Sequence, residues 1–216
     1  MIAGAAQGDV DRRREFARTY LPVVRAYLGA RWRGTRHMDA LDDAVQDVFV
    51  DCFREEGALG RADPSRGARF RTFLYGVARN VALRHEERGR LRKETQGESG
   101  FEHAVPADES SLSVVFDRSW ARALMRRAMD RQRQRAATAG AEALRRVELL
   151  RLRFQEGLPV RDIAARWGED PAAVHRWFRK AREEFREALV EEVRFHHAGT
   201  PAEVERECAA LLELLS

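Results

Sequence analysis

The residues from Arg69 to Arg90, RFRTFLYGVARNVALRHEERGR, combine aromatic rings with a dense set of arginines. Aromatic rings can stack on unpaired bases, and guanidinium groups can follow a phosphate backbone. The same pattern also fits a core helix with a solvated basic face. Residues 61–93 carry 10 basic and 3 acidic side chains, a net charge of +7, and a basic stripe of this kind indicates a polyanionic partner.

A second group of residues is typical of duplex DNA binding. The sequence LPVRDIAARWGEDPAAVHRWFRKAREEFREAL predicts a short helix, a tight turn and a second helix, with Asp170 as N-cap and Pro171 at the first helical position. Four positions match the spacing of a helix-turn-helix motif: Ala164, Gly168, Val174 and Trp177. The outer face of the second helix is basic: His175, Arg176, Arg179, Lys180 and Arg182. Such a helix can enter the major groove.

The sequence lacks the motifs of enzymes, cofactor sites and metal sites. The sequence has no nucleophile motif, P-loop or glycine-rich phosphate cradle, so we expect neither an enzyme nor a cofactor. Cys52 and Cys208 are far apart, and His196 and His197 point to different helix faces, so no metal site is expected. No signal peptide and no apolar run of about 18 residues occur, which predicts a cytoplasmic protein without membrane insertion.

The elements that position these residues are predicted to be helices. The chain has 216 residues, 44% hydrophobic and 34% charged, with few Gly and Pro, and this composition favours an all-α fold. Asp39 is the expected N-cap of a helix with an apolar stripe at Leu41, Val45, Val48, Phe49 and Cys52. The helix from about Phe70 to Arg90 has a stripe at Phe70, Phe73, Leu74, Val77, Ala78 and Val81. At least one of Phe70 and Phe73 should therefore lie in the core.

A change of composition divides the chain. Residues 93–117 are polar and contain Gly and Ser, which predicts a flexible linker with little fixed structure. Residues 94–117 carry 6 acidic and no basic side chains, a net charge of −6. This acidic stretch beside the basic one predicts a closed form of the free protein in which basic surfaces face inward.

The linker separates two small helical domains, predicted at residues 10–92 and 118–191. Trp120, Trp167 and Trp177 are expected in the core of the second. Residues 192–216 form an extension, in which Thr200 and Glu203 predict a capping box. Its apolar stripe is Val204, Cys208, Leu211, Leu212 and Leu215. The extension either docks on its own C-terminal domain or is a regulatory helix.

In this order, the segments resemble the bacterial sigma factors of RNA polymerase, of the extracytoplasmic-function type. DDAVQDVFVDCFR resembles region 2.2, and FRTFLYGVARNVALRHEERGR resembles regions 2.3 and 2.4. LRRVELLRLRFQEGLPVRDIAARWGEDPAAVHRWFRKAREEFREAL resembles region 4. The resemblance covers residues 10–190 and implies region 2 and region 4 domains joined by a linker.

The resemblance also implies roles for residues. The resemblance assigns contact with the polymerase β′ clamp helices to Asp42, Asp43, Gln46, Asp47 and Val50. Contact with the minus-10 element, as duplex and as melted single strand, falls to Arg66, Arg69, Arg71, Phe73, Tyr75, Arg79, Asn80, Arg84 and Arg88. Contact with the minus-35 element falls to Ala172, His175, Arg176, Arg179, Lys180 and Arg182, and region 4 also contacts the β flap.

The sequence departs from the family pattern at positions that read bases. Phe73 stands where a tryptophan is usual, and Arg84 stands where an acidic residue is common. In the second helix of the helix-turn-helix, Arg176 replaces a serine and Trp177 replaces an arginine.

Three functions follow from these patterns. The first is a transcription initiation factor that binds core RNA polymerase, directs it to promoters and assists melting, with an anti-sigma factor or another regulator left open as a further partner. The second is a helix-turn-helix regulator that binds duplex DNA without polymerase, for which an aromatic and arginine-rich helix is unnecessary. The third is a helical interaction protein with no role on DNA.

Overall fold

The computed structural model describes Ala5 and residues 7–54, 70–96, 108–196 and 199–215. Within these ranges the all-α expectation is confirmed, because every regular element is a helix. A short 3-10 helix spans Arg36–Ala40. The α-helices are α1 (Val10–Arg31), α2 (Leu41–Phe53), α3 (Phe70–Gln96), α4 (Glu109–Ala139), α5 (Ala141–Phe154), α6 (Val160–Trp167), α7 (Pro171–His196) and α8 (Pro201–Glu213).

The chain forms two compact units, and the division falls within α4 and within α8. Unit one contains the described residues up to Ala123, together with His196 and the last turns of α8. Unit two contains Leu124–Phe195 and the first turns of α8.

Unit one is built on the apolar stripes of α1, α2 and α3. The stripe of α1 is Phe16, Tyr20, Val23, Val24, Tyr27 and Leu28, and all six side chains are fully buried. The predicted stripe of α2 is buried at Val45, Val48, Phe49 and Cys52, whereas Leu41 is only partly buried. On α3 the buried positions include Phe70, Leu74, Ala78 and Val81. Phe70 packs on Phe16 with ring centroids 5.8 Å apart, which confirms that at least one of the two α3 phenylalanines is core.

The predicted linker is shorter than its composition indicated. Helix α3 continues to Gln96 and α4 begins at Glu109, so both ends of the 93–117 stretch are helical. Leu112 and Phe116 are buried, 2% and 1% exposed, and Trp120 extends the same face. These three residues recur every four positions, which is a helix stripe that the surrounding acidic and serine residues obscured. Residues 97–107 lie outside the described part.

Trp120 does not belong to the core in which it was expected. It lies in unit one, where its ring stacks on Tyr20 at a centroid distance of 5.2 Å and an interplanar angle of 12°. The cause is again the helical start of α4, which adds residues up to Ala123 to unit one.

One core cluster of unit two is formed by α5, α6 and α7. Its buried members are Leu149, Leu152, Ile163, Ala164 and Val174, and Trp167 and Trp177 pack against them while keeping part of their surface exposed. Helix α6 ends at Gly168, whose φ of 64° is in the left-handed region that favours glycine. The predicted N-cap of α7 is confirmed by the bond from the Ala173 amide to Asp170 Oδ2, 3.1 Å long.

The N-cap predicted at Asp39 is wrong, because Asp39 lies inside the 3-10 helix. Thr35 caps that helix by accepting a hydrogen bond from the His37 amide at 3.2 Å, and α2 follows without a side-chain cap. Thr35 and Asp39 could each cap a helix in this segment, and the structure uses Thr35, which lies four residues before Asp39.

Helix α8 begins as predicted, and one side of it is buried. Its capping box is confirmed: the Thr200 amide donates to Glu203 Oε2 at 2.7 Å, and the Glu203 amide donates to Thr200 Oγ1 at 3.4 Å. Within the apolar stripe of α8, Val204, Cys208 and Leu211 are buried in the chain, whereas Leu212 is 51% exposed.

Candidate nucleic-acid interface

Helix α2 presents an acidic outer face. Its apolar stripe points into unit one, so Asp42, Asp43 and Gln46 are exposed on the opposite side. Val50 lies on the same side, and it is 50% exposed although it is apolar. Asp42 pairs with Arg25 of α1. The face combines negative charge with an uncovered aliphatic side chain, a composition suited to a basic protein partner.

Asp47 of α2 is directed toward α3 rather than being freely exposed. Its Oδ2 atom lies 2.9 Å from His85 Nε2 and 3.4 Å from Arg88 Nη2. The hydrogen bond to His85 and the charge of Arg88 hold the pKa of Asp47 below its ordinary value. One turn further on, Asp51 accepts a hydrogen bond of 2.5 Å from Arg84. Two of the predicted minus-10 arginines therefore pair with the predicted polymerase helix.

The first half of α3 makes its ionic contacts with α4. Arg71 Nε lies 3.4 Å from Asp117 Oδ1, and Arg79 Nε lies 3.3 Å from Glu109 Oε1. The hydroxyl of Tyr75 donates to Glu109 Oε2 at 2.8 Å. Burial raises the pKa of Tyr75, and the hydrogen bond to Glu109 raises it further.

The remaining predicted minus-10 residues differ in their surroundings. Asn80 is exposed on α3. Phe73 is partly exposed, and its ring packs on Phe70 at a centroid distance of 5.7 Å. Arg66 and Arg69 lie outside the described residues.

A network around Arg31 was not predicted from the sequence. Arg31 donates to both oxygens of Glu86, at 2.7 and 3.0 Å, and Trp32 Nε1 donates to Glu86 Oε1 at 2.8 Å. Burial raises the pKa of Glu86, but the bonds from Arg31 and Trp32 outweigh this and leave that pKa below its ordinary value. Arg31 also donates to Glu109 at 2.7 Å. The available signal was Glu86 itself, one of three acidic residues in a strongly basic segment.

On unit two, the outer face of α7 is exposed to solvent. All six predicted minus-35 residues, Ala172, His175, Arg176, Arg179, Lys180 and Arg182, are exposed. The opposite face of α7 contributes Val174 and Ala181 to the core, so the basic side chains project outward from a helix that packing holds in place.

The turn before α7 is held by a stacked arginine. The Arg145 guanidinium lies 4.8 Å from the Trp167 ring centroid and 5.0 Å from that of Trp177. Its Nη1 atom lies 2.8 Å from Glu169 Oε1, which belongs to the turn itself. Cation–π contacts and an ion pair thus connect α5 to both helices of the pair and to their connection. Trp177, where the family pattern has an arginine, packs against this cation.

Residues 16–94 match the family model of Sigma-70 region 2. The matched stretch runs from the second turn of α1 to the last turn of α3, so it includes the acidic face of α2 and the paired arginines of α3. The match supports a sigma factor, with a role in polymerase binding and promoter recognition. No curated protein and no solved structure matches the chain significantly.

Across the described ranges, no helix is both long enough and apolar enough to cross a membrane. The same ranges contain no group of three or more histidine, cysteine and carboxylate side chains placed to hold a metal ion. Cys52 and Cys208 are free thiols, both buried.

Proposed function

We propose that this chain is a transcription initiation factor of the extracytoplasmic-function type. It binds core RNA polymerase, recruits the polymerase to promoters and assists opening of the DNA. The phosphodiester chemistry belongs to the polymerase, so the chain itself is not an enzyme and needs no cofactor. Residues 10–92 act as the region 2 domain, and the part of residues 118–191 that belongs to unit two, from Leu124 onward, acts as the region 4 domain.

The observation that carries this proposal is the match of residues 16–94 to Sigma-70 region 2. The geometry of the same stretch supports it. Asp43, Gln46 and Val50 form an exposed face that suits the β′ clamp helices. On α3, we assign contact with the minus-10 element to Arg71, Phe73, Tyr75, Arg79, Asn80, Arg84 and Arg88.

Unit two supports the proposed role at the minus-35 element. Helices α6 and α7 are joined by a turn at Gly168, and α7 directs six exposed residues away from the core. A basic helix of this kind can place its N-terminal half on base edges in the major groove. Contact with the β flap is proposed for this unit as well.

The test is co-elution of the purified protein with bacterial core RNA polymerase. Asp43→Arg is the informative variant, because Asp43 is exposed and its replacement leaves the contacts of Asp47 with His85 and Arg88 intact. Asp11→Arg is the matched control: it makes the same charge change at a carboxylate that is 87% exposed on α1 of the same unit. We expect Asp43→Arg to lose binding and Asp11→Arg to keep it. Absence of binding by the unmodified protein would contradict the proposal.

The exposed basic face of α7 also fits a regulator that binds duplex DNA without polymerase. That alternative predicts tight duplex binding by the free protein and no co-elution with polymerase. Its affinity for duplex DNA would fall steeply with salt, because phosphate contacts release counterions.

A further inference from the structure

The outermost line of α7 changes from basic to acidic along the helix. On a helix with 3.6 residues per turn, the positions opposite the buried Val174 and Ala181 form one line. In chain order, this line consists of exposed residues: Ala172, Arg176, Arg179 and Glu183. The carboxylate of Glu183 repels phosphates, so the line favours a DNA duplex along the first half of α7. Arg176 stands at the centre of that half.

The side chain of Arg176 is available to a ligand. It is exposed, and among the described residues it forms no ion pair and no side-chain hydrogen bond. Other cations on α7 are engaged: Lys180 Nζ lies 3.9 Å from Glu183 Oε2, and the Arg182 guanidinium lies 5.8 Å from the centroid of the Phe178 ring. The Arg176 guanidinium therefore keeps its full set of N–H donors for a bound molecule.

The backbone around Arg176 is held in place on both sides. Val174, two residues earlier, is fully buried. Trp177, the next residue, packs on the core cluster of α5, α6 and α7, and its ring centroid lies 5.0 Å from the Arg145 guanidinium. Arg145 in turn pairs with Glu169 of the turn at 2.8 Å. Packing thus sets the direction in which Arg176 leaves the helix, and recognition of a single base requires such support.

An arginine at this position suits one base in particular. In the major groove, guanine presents two acceptors, O6 and N7, which a guanidinium contacts with two parallel N–H donors. Adenine presents one acceptor beside an amino donor, so it cannot accept both bonds. The family pattern has a serine where this chain has Arg176, and a serine hydroxyl contacts several bases. The exchange of serine for arginine therefore changes a permissive position into a selective one.

We propose that Arg176 is the base-selecting residue of unit two and that it selects a guanine in the major groove of duplex DNA. Its guanidinium donates to O6 and N7 of that guanine. His175 and Lys180, on the two flanks of the same face, contact backbone phosphates. The inference rests on the proposed role of unit two at the minus-35 element and adds a base that this element must contain.

The experiment is a selection from a duplex DNA library with a randomised segment, carried out with the full chain and read by sequencing the bound fraction. The variant is Arg176→Gln, because glutamine pairs with N6 and N7 of adenine. Lys180→Gln is the matched control, since it removes the same charge from an exposed residue of the same helix. Circular dichroism melting verifies that each variant stays folded. The selection is repeated with each protein in the presence of core RNA polymerase.

We expect the unmodified protein to prefer guanine at one position of its site by roughly 5- to 150-fold, the range expected of one good bidentate contact. Arg176→Gln should prefer adenine at that position and keep the preferences at all others. Lys180→Gln should keep every preference, bind all sequences more weakly, and reduce the slope of log affinity against log salt by about 1. A change of preferred base is a result that a loss of structure cannot produce.

The inference is overturned if Arg176→Gln keeps the guanine preference or weakens binding to all sequences equally, because Arg176 would then have no role in base selection. Selection of no guanine by the unmodified protein, both alone and with polymerase, would also overturn it. Co-elution with core polymerase judges the proposed function separately. Polymerase binding with a guanine preference that survives Arg176→Gln would retain the initiation factor and reject only the role of Arg176. Guanine selection that depends on Arg176, without polymerase binding, would retain that role and favour the regulator.

Discussion

Replacing Glu192 with glutamine should destabilise unit two more than any other single charge removal on α7. The side chain of Glu192 is 2% exposed and lies between two arginines of α4. Arg127 Nε donates to its Oε2 atom at 2.7 Å, and Arg131 Nε donates to its Oε1 atom at 2.8 Å. Glutamine keeps the size of the side chain, but its amide group must turn two N–H donors toward one of the two guanidinium groups.

The size of the effect follows from the exposure of the three partners. Removing one member of a buried ion pair costs about 3–5 kcal/mol, because the remaining charge stays buried and uncompensated. Arg127 and Arg131 are 19% and 36% exposed, so water partly solvates them once the carboxylate is gone. Glutamine also keeps one acceptor oxygen. We therefore expect a loss near the lower end of that range, about 3 kcal/mol.

The assay is urea unfolding of the full chain, followed by circular dichroism and by hydrogen exchange in peptides of α7. At an m-value of about 1.5 kcal/mol/M, the midpoint for unit two should fall by about 2 M. Glu191→Gln is the matched control: Glu191 is the preceding residue, is 40% exposed and pairs with Arg135, which is 49% exposed. Its loss should cost less than about 1 kcal/mol. Equal midpoints for the two variants would refute the reasoning.

The other predictions concern the same unit. Arg145→Ala should lower the stability of unit two by about 1–2 kcal/mol, measured as a shift in urea midpoint, because it removes the cation between Trp167 and Trp177; an unchanged midpoint would contradict this. Gly168→Ala should cost about 1–2 kcal/mol through its φ of 64° alone, since no atom lies within 4 Å of the added Cβ. Burial raises the pKa of Glu192, but the hydrogen bonds from Arg127 and Arg131 outweigh this and hold that pKa below 4.5, so the stabilisation by Glu192 is complete above pH 4.5 and is lost as pH falls through the lower folded pKa. Acid titration should therefore bring the unmodified protein and Glu192→Gln to similar stability, and a constant difference would refute this.

The fold was predictable wherever a helix buries one continuous stripe. The stripes of α2 and α3 identify the side chains that pack inward, and with them the faces that stay outside. Capping was predictable where a single acceptor stands in the right place, as with Asp170 and with Thr200. At Asp39 it failed, because Thr35 is an alternative acceptor only four residues earlier and closes a 3-10 turn first.

The start of α4 was not predictable from composition. Acidic, serine and glycine residues fill the stretch before it, and their average suggests a chain that cannot bury enough apolar surface to fold. Leu112, Phe116 and Trp120 are few, but their four-residue spacing puts all of them on one face, and the core of unit one receives them. The spacing of the apolar residues therefore indicated the start of α4, whereas the average composition did not.

The net charge of segment 61–93 does not reveal which of its arginines already have carboxylate partners. The segment 61–93 has a net charge of +7, yet four of its described arginines contact carboxylates that lie far away in the sequence. These are the contacts of Arg71, Arg79, Arg84 and Arg88, made with Asp117, Glu109, Asp51 and Asp47. Several of these pairs are exposed, so each contributes only about 1 kcal/mol or less, but each one places a negative charge beside the arginine. The charge of the segment alone therefore overstates the potential that a nucleic acid meets.

A phosphate that approaches Arg71, Arg79, Arg84 or Arg88 meets a guanidinium that already has a carboxylate neighbour, so it competes with that carboxylate for the cation. Asp47 and Asp51 belong to α2, the helix proposed to contact polymerase. Under the proposed function, a polymerase cation that pairs with Asp47 releases Arg88 and His85 for DNA. Asp47 would then be common to both proposed surfaces, because it is a proposed polymerase contact and already pairs with Arg88 of the proposed minus-10 surface.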